Sequence, residues 1–388
     1  MECKTSKNDL KIGIALSGGG IRASVFHLGV LGRLAEDKLL KNITSISTVS
    51  GGTLVTGMIF SIAGYKWPSS EFYLQQCLTQ ARNYFTKTDI RIKAFIWGIC
   101  RPISLIQKRA NLISKSIQNC WNISGNLKDL PLQPRWTINA TTYESGKNWR
   151  FIPQRRMGDY IVNYVKNPDI LLADAMAASA AYPGLIGPLA LDTRKFSWYE
   201  YEGKTQVQTQ PKFKKLHLWD GGLYENLGVE PLFKIGEKRK YQDDCNFLVV
   251  SDASNPIGTK KHTGKFWKSA IRLIDISMDQ VRSLRTRTLI NHFENNKNSG
   301  VYFKIGNNSR KILEAVGTNV DMIDHLTENS LSPSDAHFAE NFETTLRKLT
   351  EDEYDLLYQH GWEVANFTLQ ARCPNLFQNM FWKPNLLI

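Results

Sequence analysis

The chain lacks a long apolar run. Its longest near the middle, "AFIWGIC" from Ala94 to Cys100, is far shorter than the roughly 20 residues that cross a bilayer as a helix. The start, "MECKTSKNDLKIGIAL", places charged residues where a secretory signal carries its apolar stretch, so no signal peptide is expected. Cysteine is sparse and scattered: Cys3, Cys77, Cys100, Cys120, Cys245 and Cys373 never fall at a CxxC spacing. That argues against a zinc site; no metal and no other cofactor is expected. It also suits a reduced chain, so the expected location is cytoplasmic and peripheral to membranes. In that setting the N-x-[ST] matches, such as Asn42-Ile43-Thr44, carry no meaning. Internal repeats and low-complexity linkers are missing as well.

What is present suits a globular protein. Hydrophobic residues make up 42% of 388 and charged residues 22%, enough for an ample core and too few charges for disorder. Lys and Arg outnumber Asp and Glu, 49 to 36, for a net charge of +13. Such a balance favours acidic surfaces, anionic lipid or nucleic acid, without choosing between them.

Periodicity places the elements. Ile12 to Leu16 is a short apolar strand, followed by Gly18, Gly19 and Gly20. Leu28, Leu31, Ala35 and Leu39 then recur at helical spacing. Gly29 and Gly32 on that helix predict close packing against a sheet. The stretch "ITSISTVSGGTLVTGMIF", Ile43 to Phe60, repeats strand, glycine turn and helix. Two such units in succession imply parallel strands. Further strands are expected at 136–143, 149–152, 216–219 and 247–252. An Ala-rich helix is expected within Pro168–Pro183, and a C-terminal helix with a break near Gly361. Residues 65–130 are rich in aromatic and basic residues and poor in β pattern. The expected architecture is one domain over 1–388, α/β, a three-layer α/β/α sandwich with a mostly parallel central sheet and a helical cap or lid inserted at about 65–130.

Three stretches carry chemistry. In "STVSGGT", Ser50 lies between a strand and a helix with Gly51 and Gly52 behind it. Small neighbours let a serine project from a tight strand-to-helix turn as a nucleophile; the plain alternative is a helix cap. In "LSGGGIRAS", the glycines leave backbone N–H groups free to converge on an anion. A P-loop would end in Gly-Lys-Ser or Gly-Lys-Thr, but here Ile21-Arg22-Ala23 follows. A dinucleotide loop would need glycine at Ala23. The better reading is an oxyanion hole, with Arg22 bracing the loop or meeting a phosphate. In "LWDGGLYENLGVEPL", Asp220 ends a strand before Gly221 and Gly222. It is either a turn former or a general base, and Asn226 could orient its carboxylate.

Together these stretches resemble the patatin-like phospholipase family, whose motifs are a G-G-G-x-R/K-G loop, a G-x-S-x-G serine and a D-G-A/G aspartate. The matching residues are "GGGIRA" (Gly18 to Ala23), "TVSGG" (Thr48 to Gly52) and "DGG" (Asp220 to Gly222). "AASAAYPGLIGPL" looks like the family's small-residue segment, and the C-terminal helical stretch also fits. Residues 65–130 and 255–310 carry little of the likeness. The resemblance implies a Ser50–Asp220 dyad without histidine, an oxyanion hole at Gly18, Gly19 and Gly20, and hydrolysis of fatty-acyl esters of phospholipids or lysophospholipids. Two positions depart from the pattern. Ala23 and Thr48 stand where the family has glycine, and β-branched Thr48 would resist a turn with positive φ.

A rival Ser–His–Asp triad would draw on His325, His337 or His360, none of which sits beside strand-end glycines; His27 is expected to pack on the first helix. Residues Arg91 to Trp121 interleave Phe95, Ile96 and Trp97 with Arg91, Lys93, Arg101, Lys108, Arg109 and Lys115, which suits an anionic membrane surface. "KNWRFIPQRR" and "TKKHTGKFWKSAIR" are basic and aromatic too, but no nucleic-acid motif accompanies them and nucleic acid is not expected as a partner. Oligomeric state is not readable. Two rival functions share the motifs: a catalytically silent lipid- or nucleotide-binding protein, and a membrane-damaging effector that needs an activator.

Overall fold

The computed structural model describes residues 7–91 and 109–382, except 185, 203–204, 237–240, 243–244, 263 and 379. Its strands in chain order are β1 (Ile12–Leu16), β2 (Ile43–Thr48), β3 (Arg135–Thr142), β4 (Asn148–Ile152), β5 (Arg156–Asp159), β6 (Asn163–Lys166), β7 (Leu189–Asp192), β8 (Trp198–Glu202), β9 (Thr205–Thr209), β10 (Lys215–Asp220), β11 (Phe247–Asp252) and β12 (Gly300–Lys304). They form one sheet in the order β12-β11-β1-β2-β3-β4-β5-β6-β8-β9, with β10 pairing β3 and β7. From β12 to β3 every pairing is parallel. From β3 outward every pairing is antiparallel.

The parallel part is covered on both faces, as its near-continuous apolar runs require. Side chains alternate across a strand. Ile12, Ile14 and Leu16 point into the larger core with helix α1 (Gly20–Glu36), helix α2 (Gly51–Ile62) and the C-terminal helix Glu351–Arg372. Ala15, Leu248 and Val250 face the other way, against Leu227 to Phe233 and Leu289 of a long helix, Phe266–Asn295. The sheet therefore lies between two layers. Among the described residues no helix is long and apolar enough to cross a membrane.

Three expectations change. Gly29 and Gly32 meet the C-terminal helix, not the sheet: a Cβ on Gly29 would lie 2.0 Å from the Tyr358 carbonyl oxygen, and one on Gly32 2.3 Å from the Tyr358 hydroxyl. The C-terminal helix does not break at Gly361. That glycine is a contact point, because a Cβ there would lie 2.0 Å from the Phe26 carbonyl oxygen. Finally, the described part of 65–130 is body rather than lid. Phe85, Ile113, Ile117 and Trp121 are buried in the main core, while 92–108, with most of the basic and aromatic residues singled out there, lie outside the described residues.

The helix pair sets a direct test. Gly361→Ala should lower stability by about 3 kcal/mol, as overpacking against rigid backbone does. An unchanged urea midpoint would mean that the two helices stand farther apart than described.

Candidate active site

The loop after β1 reaches the C-terminal edge of the parallel strands. Gly19 and Gly20 have φ of 143° and 65°, conformations open mainly to glycine. A Cβ on Gly19 would sit 2.7 Å from the Ala253 carbonyl oxygen, and one on Gly20 2.7 Å from that of Thr345. Neither N–H has a partner among the described residues. Gly18 differs: its N–H donates to the Asn226 carbonyl at 3.1 Å. That corrects its expected part as an oxyanion donor. Arg22 is fully buried and turns from the cleft floor to donate to the carbonyls of Phe342 (2.6 Å) and Ala253 (2.8 Å). These are the bonds of a brace. Burial lowers its pKa to about 10.

Ser50 joins β2 to α2 with φ 47° and ψ −114°, a strained conformation for a residue with a Cβ. Its side chain makes no capping hydrogen bond to α2, so the helix-cap alternative fails on geometry. Gly51 and Gly52 leave no space for side chains: added Cβ atoms would lie 2.2 Å from the Gly20 carbonyl and 2.4 Å from that of Leu16. The Gly51 N–H, next to Ser50, also meets no partner among the described residues. Thr48 is still within β2, paired to Leu16 and Ile138. The turn starts after it, so its branched side chain meets no strain. Its hydroxyl bonds that of Thr53 at 2.8 Å and accepts from Trp136 Nε1 at 2.9 Å. Ala23 lies inside α1 and needs no glycine either.

Asp220 arrives from the opposite direction. Strand β10 runs antiparallel to β3, with Leu218 opposite Thr142 and Asp220 opposite Ala140. It thus descends onto the edge where the parallel strands end, and its last residue meets the serine turn. The Asp220 carboxylate accepts a hydrogen bond from the Gly222 N–H at 2.7 Å, and the Ser50 side chain lies near enough to lower its proton affinity. Gly221 fits only without a side chain, since a Cβ would lie 2.6 Å from the Asn139 carbonyl. Asn226 does not orient the carboxylate as expected. Its amide donates to Ser254 Oγ at 2.8 Å, and Gly222 takes the orienting part. Asp220 is 3% exposed. Burial raises its pKa to about 7, against the opposing influence of the Gly222 N–H and the Ser50 side chain.

Sequence reading missed the segment that ties the two together. Ser179 ends the short helix Leu172–Ser179. Its hydroxyl accepts the Ser50 N–H at 3.0 Å, and its carbonyl accepts the Gly221 N–H at 3.3 Å. Two residues on, the Ala181 carbonyl accepts the Asp220 N–H at 3.1 Å. The only sequence signal was the small-residue run around them.

The cleft above Ser50 and Asp220 holds about 270 Å³. Its outer wall is the long helix Phe266–Asn295, through Arg272, Asp275, Met278, Asp279 and Arg282. Arg282 pins that helix, bonding Asp252 at 3.1 Å as well as Asp279. No histidine lines the cleft among the described residues. His27 is buried between Ser251 and the Ser17 carbonyl (2.8 and 3.0 Å), and burial lowers its pKa to about 4. His360 accepts from the Gly306 N–H at 2.8 Å and is lowered likewise to about 4.

The raised Asp220 pKa has a stability consequence. A carboxyl that holds its proton more tightly when folded favours the fold fully below its ordinary pKa, and this contribution is lost as pH rises toward 7. Asp220→Asn removes the effect. Its thermal midpoint relative to the unsubstituted protein should therefore climb from pH 4.5 to pH 8. A difference that stays flat over that range would contradict the buried, raised carboxyl.

The description "patatin-like phospholipase" belongs to a family model that matches residues 14–233. Two curated relatives are patatin-like phospholipase domain-containing proteins. One, from Aspergillus clavatus, is 25% identical over 252 residues, covering 62% of this chain and 29% of the relative. The other, from Yarrowia lipolytica, is 26% identical over 189 residues, covering 48% and 20%. The chain thus spans under a third of the length of these relatives. Human GIVD cytosolic phospholipase A2 shares the fold, with a TM-score of 0.51 at 12% identity over 97% of this chain and 64% of that one. With the family model spanning more than half of its length, this chain belongs to the patatin-like phospholipase family.

Proposed function

We propose that the chain is a serine acylhydrolase acting on fatty-acyl esters of phospholipids or lysophospholipids. The observation that carries this reading is the placement of Ser50, in its strained turn, beside the buried Asp220 carboxyl at the floor of one cleft, where burial pushes the carboxyl's pKa up to about 7. A base poised near the working pH accepts a proton and returns it at little cost. Asp220 takes the Ser50 proton as Ser50 Oγ attacks the ester carbonyl. The N–H groups of Gly19, Gly20 and Gly51 converge on the developing oxyanion, with no solvent reorganisation needed at that moment. The carbon–oxygen bond to the lipid alkoxide breaks, and that oxygen takes the proton from Asp220. Water then gives a proton to Asp220 and attacks the acyl-Ser50 ester. The fatty acid leaves and Ser50 regains its hydrogen.

A cleft of about 270 Å³ is at the small end of ligand pockets. It accepts the reacting end of a lipid and leaves most of the molecule outside, along the long helix. That helix begins with Phe266 and Trp267, 75% and 77% exposed, and also exposes Leu273 and Leu284. Lys260, Lys261, Lys265 and Lys268 surround this end, and Lys260 lines the cleft itself. Aromatic residues among lysines at the mouth of an acyl site suit an anionic membrane surface. The proposed membrane contact is therefore the long helix; most of the 91–121 segment expected from the sequence lies outside the described residues.

Two outcomes test the reading. A fluorophosphonate probe should label the protein at Ser50, and Ser50→Ala or Asp220→Asn should lower fatty-acid release from mixed phospholipids by at least about 1,000-fold. Turnover in the unsubstituted protein should fall as pH drops below about 7, when Asp220 is protonated. A folded protein that binds lipid vesicles without labelling would instead be the silent lipid binder. For the membrane contact, Phe266→Ala with Trp267→Ala should weaken binding to phosphatidylserine vesicles by about tenfold, and salt should weaken it further. Hydrolysis of a short soluble ester should stay unchanged. Vesicle binding that survives both changes would place the contact elsewhere.

A further inference from the structure

A second cleft lies on the antiparallel part of the sheet and shares no residue with the first. It holds about 370 Å³ and is lined by Arg135, Arg155, Arg156 and Lys166 with Tyr164 and Tyr201 among others. Strands β5, β6 and β8, which supply most of it, lie beyond β4 in the sheet order. Arg135 opens β3 opposite Ser45, at the edge away from Ser50. Much of this surface comes from "KNWRFIPQRR", which acylhydrolysis leaves without a role.

Its charge is one-sided. No carboxylate lines the cleft among the described residues. Arg156 and Lys166 are directly opposed across β5 and β6, and like charges so placed repel. None of Arg155, Arg156 and Lys166 forms an ion pair with a carboxylate among the described residues. Instead the Arg156 guanidinium lies 4.7 Å from the Tyr164 ring centre and 5.6 Å from that of Tyr201. The two rings stand at 74° to each other, so together they fix where the guanidinium sits at the cleft wall, one side toward Tyr201 and its other donors available to a ligand. A planar fork held in place, with further cations around it, suits the tetrahedral oxygens of phosphate. Facing cations that repel when empty gain most from a ligand carrying several negative charges.

We propose that this cleft binds an anion bearing two or more phosphate groups, as a free polyphosphate or as a phosphorylated lipid headgroup. Arg155 and Lys166 are exposed, so Arg155→Gln with Lys166→Gln removes two charges without touching the core. Calorimetry at low salt should show the full chain binding inorganic pyrophosphate and inositol hexakisphosphate. The double variant should bind each at least about tenfold more weakly. Vesicles carrying phosphatidylinositol bisphosphate separate the sources. Flotation lost in the variant assigns a lipid headgroup; binding of the soluble anions without flotation assigns a free ligand. The proposal is overturned if neither anion binds at millimolar concentration, if the folded variant binds as well as the parent, or if orthophosphate binds as tightly as pyrophosphate. Labelling of Ser50 by the fluorophosphonate probe is read separately, so failure here leaves the acylhydrolase reading standing.

Discussion

Backbone rests on backbone where the loop after β1 meets the first turn of α2, and the candidate site depends on that contact. The Gly20 carbonyl presses on Gly51, and the Leu16 carbonyl presses on Gly52. Any side chain at either place would push the serine turn off the glycine loop. Because none is there, the Ser50 hydroxyl shares a cleft with Gly19, whose amide, like that of Gly20, has no partner among the described residues and belongs to a different strand unit. Ser24 fastens the seam, donating to the Gly51 carbonyl at 2.8 Å. Strain at Ser50 is then held by packing on all sides rather than relieved.

Polar groups behind the seam are satisfied in sequence. Ser179, Thr53 and Thr48 form a chain of hydroxyls that ends on Trp136. Asn139 bonds the Thr48 carbonyl at 3.0 Å, and Thr141 bonds the Asp220 carbonyl at 2.8 Å. These groups are buried, and hydrogen bonds exchanged among them avoid the penalty of leaving a polar atom without a partner. Asp220 is the exception among these buried groups. Burial disfavours its anion, and no positive charge beside it offsets that, so its basicity rises in spite of the Gly222 N–H.

Elements buried on both faces were legible in the sequence. Ile12–Leu16 and Phe247–Val250 are continuous apolar runs, and such runs between turn signals mark interior parallel strands. The outer strands were not: "TQVQT" in β9 is almost wholly exposed, so no apolar face betrays it. The long helix was missed for a related reason, since Leu289 is its only fully buried residue and its apolar residues point in all directions. Glycine misled twice. Propensity reads Gly361 as a break and Gly29 as a sheet contact, whereas a tight helix pair uses both. Asn226 was chosen by nearness in sequence, yet the Asp220 carboxylate is oriented by a backbone amide. Ser179, 129 residues from Ser50, shows in the sequence only as part of a small-residue run; the fold brings it to the serine turn.

One residue behind the cleft serves two masters. Ala253 takes a hydrogen bond from Arg22 through its carbonyl, and its N–H donates to Ser17 Oγ at 2.8 Å; both partners belong to the glycine loop region. Its covalent neighbour Asp252 holds Arg282 of the long helix. The outer wall of the cleft and the loop at its floor are therefore moored to the same short stretch of backbone. A tilt of the wall and a shift of the floor are one motion, not two, and the mouth cannot widen there without loosening the hold on the loop beneath it.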